Sequence, residues 1–228
     1  MTRRLFLSHP LSGDTPTYGS NPRFESRRHR DMDRGDTCNT AIFHFHNHSG
    51  THLDAPLHFD PVGRDVSALE PDELVFEQVV LLEIPAGPSE LIGPERLEHA
   101  VARIANADLV LLRTEFERRR GEPEYVRENP RLAPALADWL REVAPGVRAV
   151  GVDAISISAV DHREVGREAH RRFLAPGAGR PILLIEDMAL ALAPKHIARV
   201  WILPLRVLNA DGGPCTVVAE IAPGGDEG

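Results

Sequence analysis

The sequence has no long apolar run. Hydrophobic residues make up 42% of the 228 residues, yet nowhere do about 18 apolar residues follow one another, as a helix that crosses a bilayer requires. The segment Met1–Gly13 carries Arg3 and Arg4 ahead of a short apolar stretch, Leu5–Leu7, which is too brief for the core of a signal peptide. We therefore expect a soluble protein that is not exported.

Cysteine is scarce as well. The chain holds two cysteines, Cys38 and Cys215, far apart and outside any Cys-x-x-Cys arrangement. This usage argues against a disulfide framework and gives no sign of a zinc–thiolate site. The cytoplasm, which keeps thiols reduced, is the expected location.

An excess of basic residues is also missing. Lys and Arg number 26 against 34 Asp and Glu, which gives a formal net charge of −8. Binding of nucleic acid needs a concentrated basic surface, so that class of partner is disfavoured. Two local basic clusters, Arg27–Arg30 and Arg118–Arg120, have acidic neighbours and are expected to be solvated.

The remaining pattern fits one α/β unit. No internal repeat or linker interrupts the 228 residues, so residues 1–228 are expected to form one domain. Short apolar runs predict strands in the core of a sheet at Ala41–Asn47, Glu77–Ile84, Leu109–Arg113, Ala149–Asp153, Ile182–Ile185, Val200–Val207 and Thr216–Ile221. Helical spacing predicts helices at Pro94–Asn106, Leu132–Val143 and His162–Leu174. Strands that alternate with helices indicate an α/β fold.

The residues that can carry chemistry concentrate between His48 and His58. This segment holds three imidazoles and one carboxylate, from His48, His52, Asp54 and His58. Zinc, manganese and iron prefer this donor set. Because a glycine, two hydroxyl residues and Pro56 disfavour a helix, we expect an extended chain whose period of two points residues 48, 52 and 54 the same way. Two histidines and a carboxylate can then converge on one ion.

His58 lies just beyond Pro56 and is better suited to another role. A free imidazole beside an activated water can carry protons near neutral pH, so we assign His58 as the general base and acid. A lone histidine is more often an ordinary surface residue, and the chain has 11, with His44 and His46 as expected bystanders. The spacing of the whole set favours the metal interpretation.

The string His48-x-Gly50-Thr51-His52-x-Asp54-x-Pro56-x-His58 resembles the signature of the cyclase family of metal-dependent hydrolases, to which bacterial kynurenine formamidase and isatin hydrolase belong. Further segments that look like family landmarks, in the family's order, are Gly13–Pro16, Leu111–Thr114, Val150–Asp153 and Leu203–Leu205. The resemblance therefore covers nearly the whole chain. It implies a mixed β-sheet with a barrel-like core and flanking helices, of the swivelling β/β/α type.

The resemblance also implies a site for two divalent metal ions per chain, with zinc expected and manganese as the alternative. The implied ligands are His48, His52, Asp54, His170 and Glu186. Asp54 would reach both ions, His170 resembles the distal histidine, and Glu186 resembles the bridging acid. His162 is the competing distal histidine, and the loop 175–180 makes the interval before Glu186 longer than the family suggests.

Two features bear on the substrate. Tyr18 stands where kynurenine formamidases tend to carry a tryptophan of the substrate pocket, so the resemblance implies that Tyr18 lines that pocket. The segment Asp211–Thr216 resembles a family turn, but Thr216 stands where arginine is expected. The identity of the substrate is therefore left open.

The implied activity is hydrolysis of an amide C–N bond in a small aromatic molecule, as performed by the arylformamidases of tryptophan catabolism. In this hypothesis hydroxide generated at the metal attacks the carbonyl, while His58 takes a proton and returns it to the leaving amine. The resemblance further suggests a homodimer or a higher homo-oligomer.

Several alternatives stay open. A cyclic amide such as isatin could be the substrate, and ring closure of the polyketide type is suggested by the family's name. His52-x-Asp54 is also half of an iron oxygenase triad, although oxygenases with that half-triad are typically all-β. A closed, non-catalytic metal module is the last alternative, and in such a module His58 would be superfluous.

Overall fold

The computed structural model of the protein describes residues 3–175, 177 and 179–222. Parts of the predicted domain 1–228 and of the loop 175–180 therefore lie outside the described residues. The strands are β1 Arg3–Phe6, β2 Glu25–Arg30, β3 Thr40–His44, β4 His52–Asp54, β5 Val75–Phe76, β6 Val79–Glu83, β7 Leu91–Ile92, β8 Leu109–Arg113, β9 Arg131–Leu132, β10 Ala149–Val152, β11 Leu183–Glu186, β12 Ile197–Pro204 and β13 Gly212–Ile221. The α-helices are α1 Val101–Ile104, α2 Pro123–Arg127, α3 Pro134–Val143 and α4 Arg163–Leu174.

One large mixed sheet organises the described residues. Nine of their strands join in the order β5-β12-β13-β4-β11-β10-β8-β6, with β1 paired to β13. The strands β6, β8, β10 and β11 run parallel, whereas β4 pairs antiparallel with both β11 and β13. The end strands β5 and β6 are separated in the chain only by residues 77–78, so the sheet must curve back toward itself. This barrel-like mixed sheet confirms the expected fold class.

The sheet separates two apolar cores. Along β8, Leu109 and Leu111 face the core inside the curved sheet, whereas Val110 and Leu112 face the core that α3 and α4 cover. A strand segment buried on both faces is apolar at successive positions, which is why residues 109–112 of β8 form a continuous apolar run. Full burial of each such side chain is worth about 1.5–3 kcal/mol.

Most predicted elements are confirmed, with ends that move by a few residues. The strand prediction Leu109–Arg113 matches β8, and the helix prediction His162–Leu174 matches α4 within one residue. The helix predicted at Leu132–Val143 begins at Pro134, whose ring suits the first turn. No described helix is both long enough and apolar enough to cross a membrane.

Two predictions were wrong in part. The segment Pro94–Asn106 forms two 3₁₀ turns and the single α-helical turn α1, because Leu97 and Ala100 bond back to carbonyls three residues earlier. Its apolar spacing of three and four residues does not distinguish these helix types. The strand predicted at Ala41–Asn47 is β3, but it pairs only with β2 and none of its residues is buried, so it is not part of a sheet core.

Candidate metal centre

A three-residue strand of the large sheet places the main candidate ligands. In β4, His52 and Asp54 lie on one face, while Leu53 packs into the apolar core on the other. The antiparallel register with β11 sets Glu186 opposite His52. On the other side, Gly212 of β13 lies opposite Asp54, and a Cβ at residue 212 would come within 2.9 Å of the His48 ring. The pairing of β4 with two neighbours therefore builds a crowded, buried centre.

His48 reaches this centre from a turn rather than from an extended strand. Gly50 has φ +63°, which side chains disfavour, and a Cβ there would lie 2.6 Å from Leu11. The turn carries the His48 ring back so that its Nδ1 lies 2.8 Å from Asp54 Oδ1. The predicted extended geometry is thus correct for His52 and Asp54, but not for His48.

Helix α4 supplies His170 from the opposite side. Its Nδ1 contacts the carbonyl of Gly166, one turn earlier, at 2.7 Å. Gly166 itself packs so closely on Ser158 that an added Cβ would lie 1.8 Å from Ser158 Oγ. The Phe59 ring stacks on the imidazole of His170 with centroids 4.9 Å apart. These contacts fix the ring so that Nε2 faces the carboxylates.

The ligand atoms of four buried residues converge. His52 Nε2 lies 3.3 Å from Glu186 Oε2 and 3.5 Å from Asp54 Oδ1. His170 Nε2 lies 3.4 Å from Glu186 Oε1 and 3.6 Å from Asp54 Oδ2. His52, Asp54, His170 and Glu186 are all buried. Separations of this size are what ligand atoms have when each lies about 2.0–2.2 Å from a shared ion.

The hydrogen bonds around the cluster fit a metal centre. The second ring nitrogen of each histidine has an outer acceptor: His48 Nε2 contacts Asp211, and His52 Nδ1 contacts the carbonyl of Gly50. Histidines that bind metal normally donate their other ring N–H in this way. Asp54 Oδ2 is buried with no hydrogen-bond partner among the described residues. A buried carboxylate oxygen without a donor is costly unless a cation meets it.

The electrostatics keep the carboxylates ionised. Burial opposes ionisation of Asp54, but the charges of His58, His48 and His52 hold its pKa well below the usual range. Burial and Asp54 also oppose ionisation of Glu186, yet hydrogen bonds from His170 and His52 lower its pKa to about 2. Despite burial, Asp54 and Asp211 raise the pKa of His48 to about 10. Without a metal, protons on the imidazoles therefore balance the carboxylates.

Asp211 is a site residue that the sequence analysis did not select. Its Oδ2 contacts His58 Nδ1 at 2.6 Å and His48 Nε2 at 3.2 Å, and its Oδ1 accepts from Asn47 at 2.6 Å. Hydrogen bonds from His48 and His58 hold the pKa of Asp211 well below its usual range. The resemblance of Asp211–Thr216 to a family turn was the available signal, but a single sequence does not reveal which turn residue faces the site.

A cavity of about 360 Å³ opens beside the cluster. Tyr18, Phe59 and Ile155 form its apolar wall, and the Tyr18 hydroxyl lies 3.2 Å from Ser158 Oγ. His46, an expected bystander, also lines the cavity, and its Nδ1 accepts from the His48 backbone N–H at 3.2 Å. The remaining lining residues include His48, His52, His58, Ser156, Arg163, Arg167, His170 and Glu186.

The other predicted residues differ in whether they reach the ligand cluster and its cavity. His162, the competing distal histidine, is exposed in a 3₁₀ turn, whereas His170 is buried in the cluster. Glu186 reaches the cluster despite the longer interval, because the pairing of β11 with β4 fixes its position whatever the length of the preceding loop. His44 is exposed in β3 and does not line the cavity.

The chain is similar to known proteins in both sequence and structure. The Cyclase family profile matches residues 5–159. The chain is 30% identical over 213 residues to a kynurenine formamidase of Bacillus cereus, covering 93% of this chain and 94% of that protein. An isatin hydrolase A of Labrenzia aggregata bound to benzyl benzoate superposes with a TM-score of 0.81 at 24% identity, over 96% and 94% of the two chains. An isatin hydrolase bound to the product analogue thioisatinate gives 0.83 at 18% identity, over 96% and 92%.

Proposed function

The chain belongs to the Cyclase family, and we propose that it is a metal-dependent hydrolase that cleaves the amide C–N bond of a small aromatic substrate, as kynurenine formamidases do. One observation carries the proposal. Two buried imidazoles and two buried carboxylates converge, the His48 imidazole contacts one of these carboxylates, and a cavity large enough for an aromatic amide lies beside them.

We assign His48, His52, Asp54, His170 and Glu186 as the metal ligands. The presence of two carboxylates, of which Asp54 contacts three imidazoles, supports two divalent ions per chain rather than one. Mixed nitrogen and oxygen donors suit zinc or manganese, and the excess of imidazole favours zinc. When bound, such ions lower the pKa of a coordinated water to about 7 and polarise a carbonyl oxygen.

His58 is proposed as the group that moves the proton. Donation from its Nδ1 to Asp211 leaves Nε2 with a lone pair at the cavity wall. Nε2 can accept a proton from the attacking water and deliver it to the leaving nitrogen. Asp211 orients His58 and, through the same oxygen, His48, so it ties the proton carrier to a ligand.

The apolar wall is proposed to hold the aromatic ring. Tyr18, Phe59 and Ile155 present it with flat or branched apolar surface, which excludes water next to the scissile bond. Tyr18 keeps its proton, because burial raises its pKa above the usual value. Its hydroxyl can therefore donate a hydrogen bond to the substrate or to Ser158.

The second candidate is hydrolysis of a cyclic amide of the isatin type. The superposition on isatin hydrolases supports it at the level of fold, and the same ligands and His58 would serve a ring carbonyl equally well. The iron oxygenase reading is disfavoured because parallel strands alternate with helices here. A closed metal module is disfavoured because His52, His58, His170 and Glu186 all border an open cavity.

The direct test is turnover by protein loaded with zinc or manganese. We expect N-formylkynurenine or isatin to be hydrolysed at a rate that chelation abolishes and metal restores. Formate release identifies the formamidase reaction, whereas isatinate formation identifies the cyclic amide reaction. Loaded protein that turns over neither compound, nor other N-formyl arylamines, would contradict the proposal.

We also propose a homodimer or higher homo-oligomer and a cytoplasmic location. The hairpin formed by β2 and β3 has no buried residue, and a two-stranded hairpin alone is marginally stable in water. Apolar Ile42, Phe43 and Leu205 are exposed on and beside this hairpin. A second copy of the chain is the occupant that the family resemblance suggests for this surface.

A further inference from the structure

Helix α4 carries two arginines on the face that holds His170. Arg163, Arg167 and His170 are spaced by four and then three residues, so their side chains emerge on one side of the helix. All three border the cavity of the candidate metal centre. The helix therefore brings two permanent positive charges to the cavity that holds His58 and Glu186.

Neither guanidinium has an acidic partner within the described residues. The other two arginines of the helix differ: Arg171 pairs with Glu168, and Arg172 pairs with Glu168 and Asp138. Arg163 uses its Nε for the carbonyl of Val160 at 3.2 Å, which leaves its terminal nitrogens as donors. A pair of unpartnered forks at a cavity is arranged to receive an anion.

The position of the pair suggests which part of a ligand it meets. Arg163 Nη2 lies 4.0 Å from where a Cβ of residue 19 would stand, so the arginine flanks the loop that carries Tyr18. The lining of the cavity thus combines the two arginines with the apolar Phe59 and Ile155 and with ligands of the cluster. An aromatic substrate whose reactive carbonyl meets the ligand cluster can therefore also present a negative group to the arginines.

We propose that Arg163 and Arg167 bind a carboxylate of the substrate, so that the preferred substrate is an aryl amide that carries a carboxylate. This inference rests on the proposed amide hydrolysis and adds the charge of the substrate to it. A planar carboxylate can accept two parallel N–H bonds from one guanidinium, which gives direction as well as affinity.

The test compares an acid with its neutral methyl ester. The substrates are 2-, 3- and 4-formamidobenzoate and their methyl esters, with release of the arylamine as the readout. The proteins, all metal-loaded, are the wild type, Arg163→Gln, Arg167→Gln, the double variant and the control Arg172→Gln, which lies on the opposite face of α4. Metal content is measured in each.

We expect the wild type to prefer at least one acid over its ester in kcat/KM. The double variant should lose about tenfold or more of that preference, mainly through KM, while its rate on the ester and its metal content stay within about twofold. Arg172→Gln should keep the preference. Equal loss on acid and ester, or no loss, would overturn the assignment of these arginines.

A binding experiment separates this inference from the proposed reaction. Fluorescent 2-aminobenzoate and its methyl ester are titrated into the same loaded proteins without turnover. Tighter binding of the acid that disappears in the double variant supports the anion site even if no amide is cleaved. Equal affinity for acid and ester in the wild type overturns it even if hydrolysis is confirmed.

Discussion

At the scale of single residues, one carboxylate oxygen joins the two proposed tasks of the site. Asp211 Oδ2 contacts both His58, the proposed proton carrier, and His48, a proposed ligand. His48, Asp54 and His58 also offer atoms close enough to hold an ion by themselves, so His58 could be a ligand instead. The contact with Asp211 favours the proton-carrier role, because it leaves Nε2 at the cavity.

Replacement of His58 decides between these roles. We expect His58→Ala to keep the metal content of the wild type but to lose about 100-fold or more in kcat, the typical worth of positioned acid–base catalysis. Asp211→Asn should lose about 10- to 100-fold, as other outer partners of metal ligands do. Mass spectrometry of metal content accompanies the kinetics. Loss of an ion in His58→Ala would instead make His58 a ligand.

The raised pKa of His48 gives metal binding a pH dependence. A pKa of about 10 in the metal-free protein means that His48 is protonated at neutral pH, and a ligand must lose that proton to bind metal. Zinc affinity should therefore rise from pH 6 to pH 8.5, with proton release visible by calorimetry in buffers of different ionisation enthalpy. Affinity that does not change over this range would contradict the charge balance.

The same shift affects the stability of the metal-free protein. The folded-state pKa of His48 lies above the usual value of about 6.5, so protonation of His48 stabilises the fold. This contribution is fully present below about pH 6.5. This contribution is lost as pH rises through about 10.

At the scale of elements, the position of α4 depends on a close contact at Gly166. Its Cα packs against Ser158, and its carbonyl meets His170 Nδ1. A methyl group at residue 166 would push the helix away from Ser158 and displace both His170 and the arginine face. One glycine therefore controls the distance between the helix and the ligand cluster.

Gly166→Ala should lower the free energy of unfolding by about 1–3 kcal/mol, the usual cost of overpacking. It should also weaken metal binding, because His170 moves with the helix. The matched control is Gly121→Ala, where an added Cβ meets nothing within 4 Å. Thermal unfolding and zinc titration are the measurements. A Gly166→Ala protein as stable as the control would show that the helix adjusts freely.

The elements also show what a single sequence predicts and what it does not. The ends of β8 can be predicted because residues 109–112 are buried on both faces of the sheet and form a continuous apolar run that Arg113 ends. The three-residue strand β4 offers no such signal, and its place between β11 and β13 depends on distant chain segments. His48, His52, Asp54 and His58 could be selected because they lie in one segment. Asp211 and Arg163 could not, since only the fold brings Asp211 to His48 and His58 and Arg163 to the cavity.

At the scale of the whole molecule, the exposed apolar surface around the β2–β3 hairpin calls for an explanation. Phe43 is 59% exposed and Leu205 is 52% exposed, and both border one surface groove. Exposed apolar patches on folded proteins commonly mark contacts with other chains. The proposed oligomer would cover this groove.

Sedimentation velocity should therefore give a mass of two chains or more. Phe43→Ser should shift the protein toward the monomer, because it removes apolar area from the proposed contact. Val62→Ser is the control, since Val62 is 89% exposed and does not border that groove. A wild-type protein that sediments as a monomer at micromolar concentration would contradict the proposed assembly.

The central claim is that the buried cluster holds catalytic metal. The most direct measurement is metal content by plasma mass spectrometry on protein purified without chelator or affinity tag, beside an assay of N-formylkynurenine hydrolysis. His52→Ala is compared with the control His99→Ala, which changes a histidine that does not border the cavity. We predict about two zinc or manganese ions per chain in the wild type and the control, with loss of both metal and turnover in His52→Ala. A wild-type protein that binds no metal even after reconstitution would contradict the account.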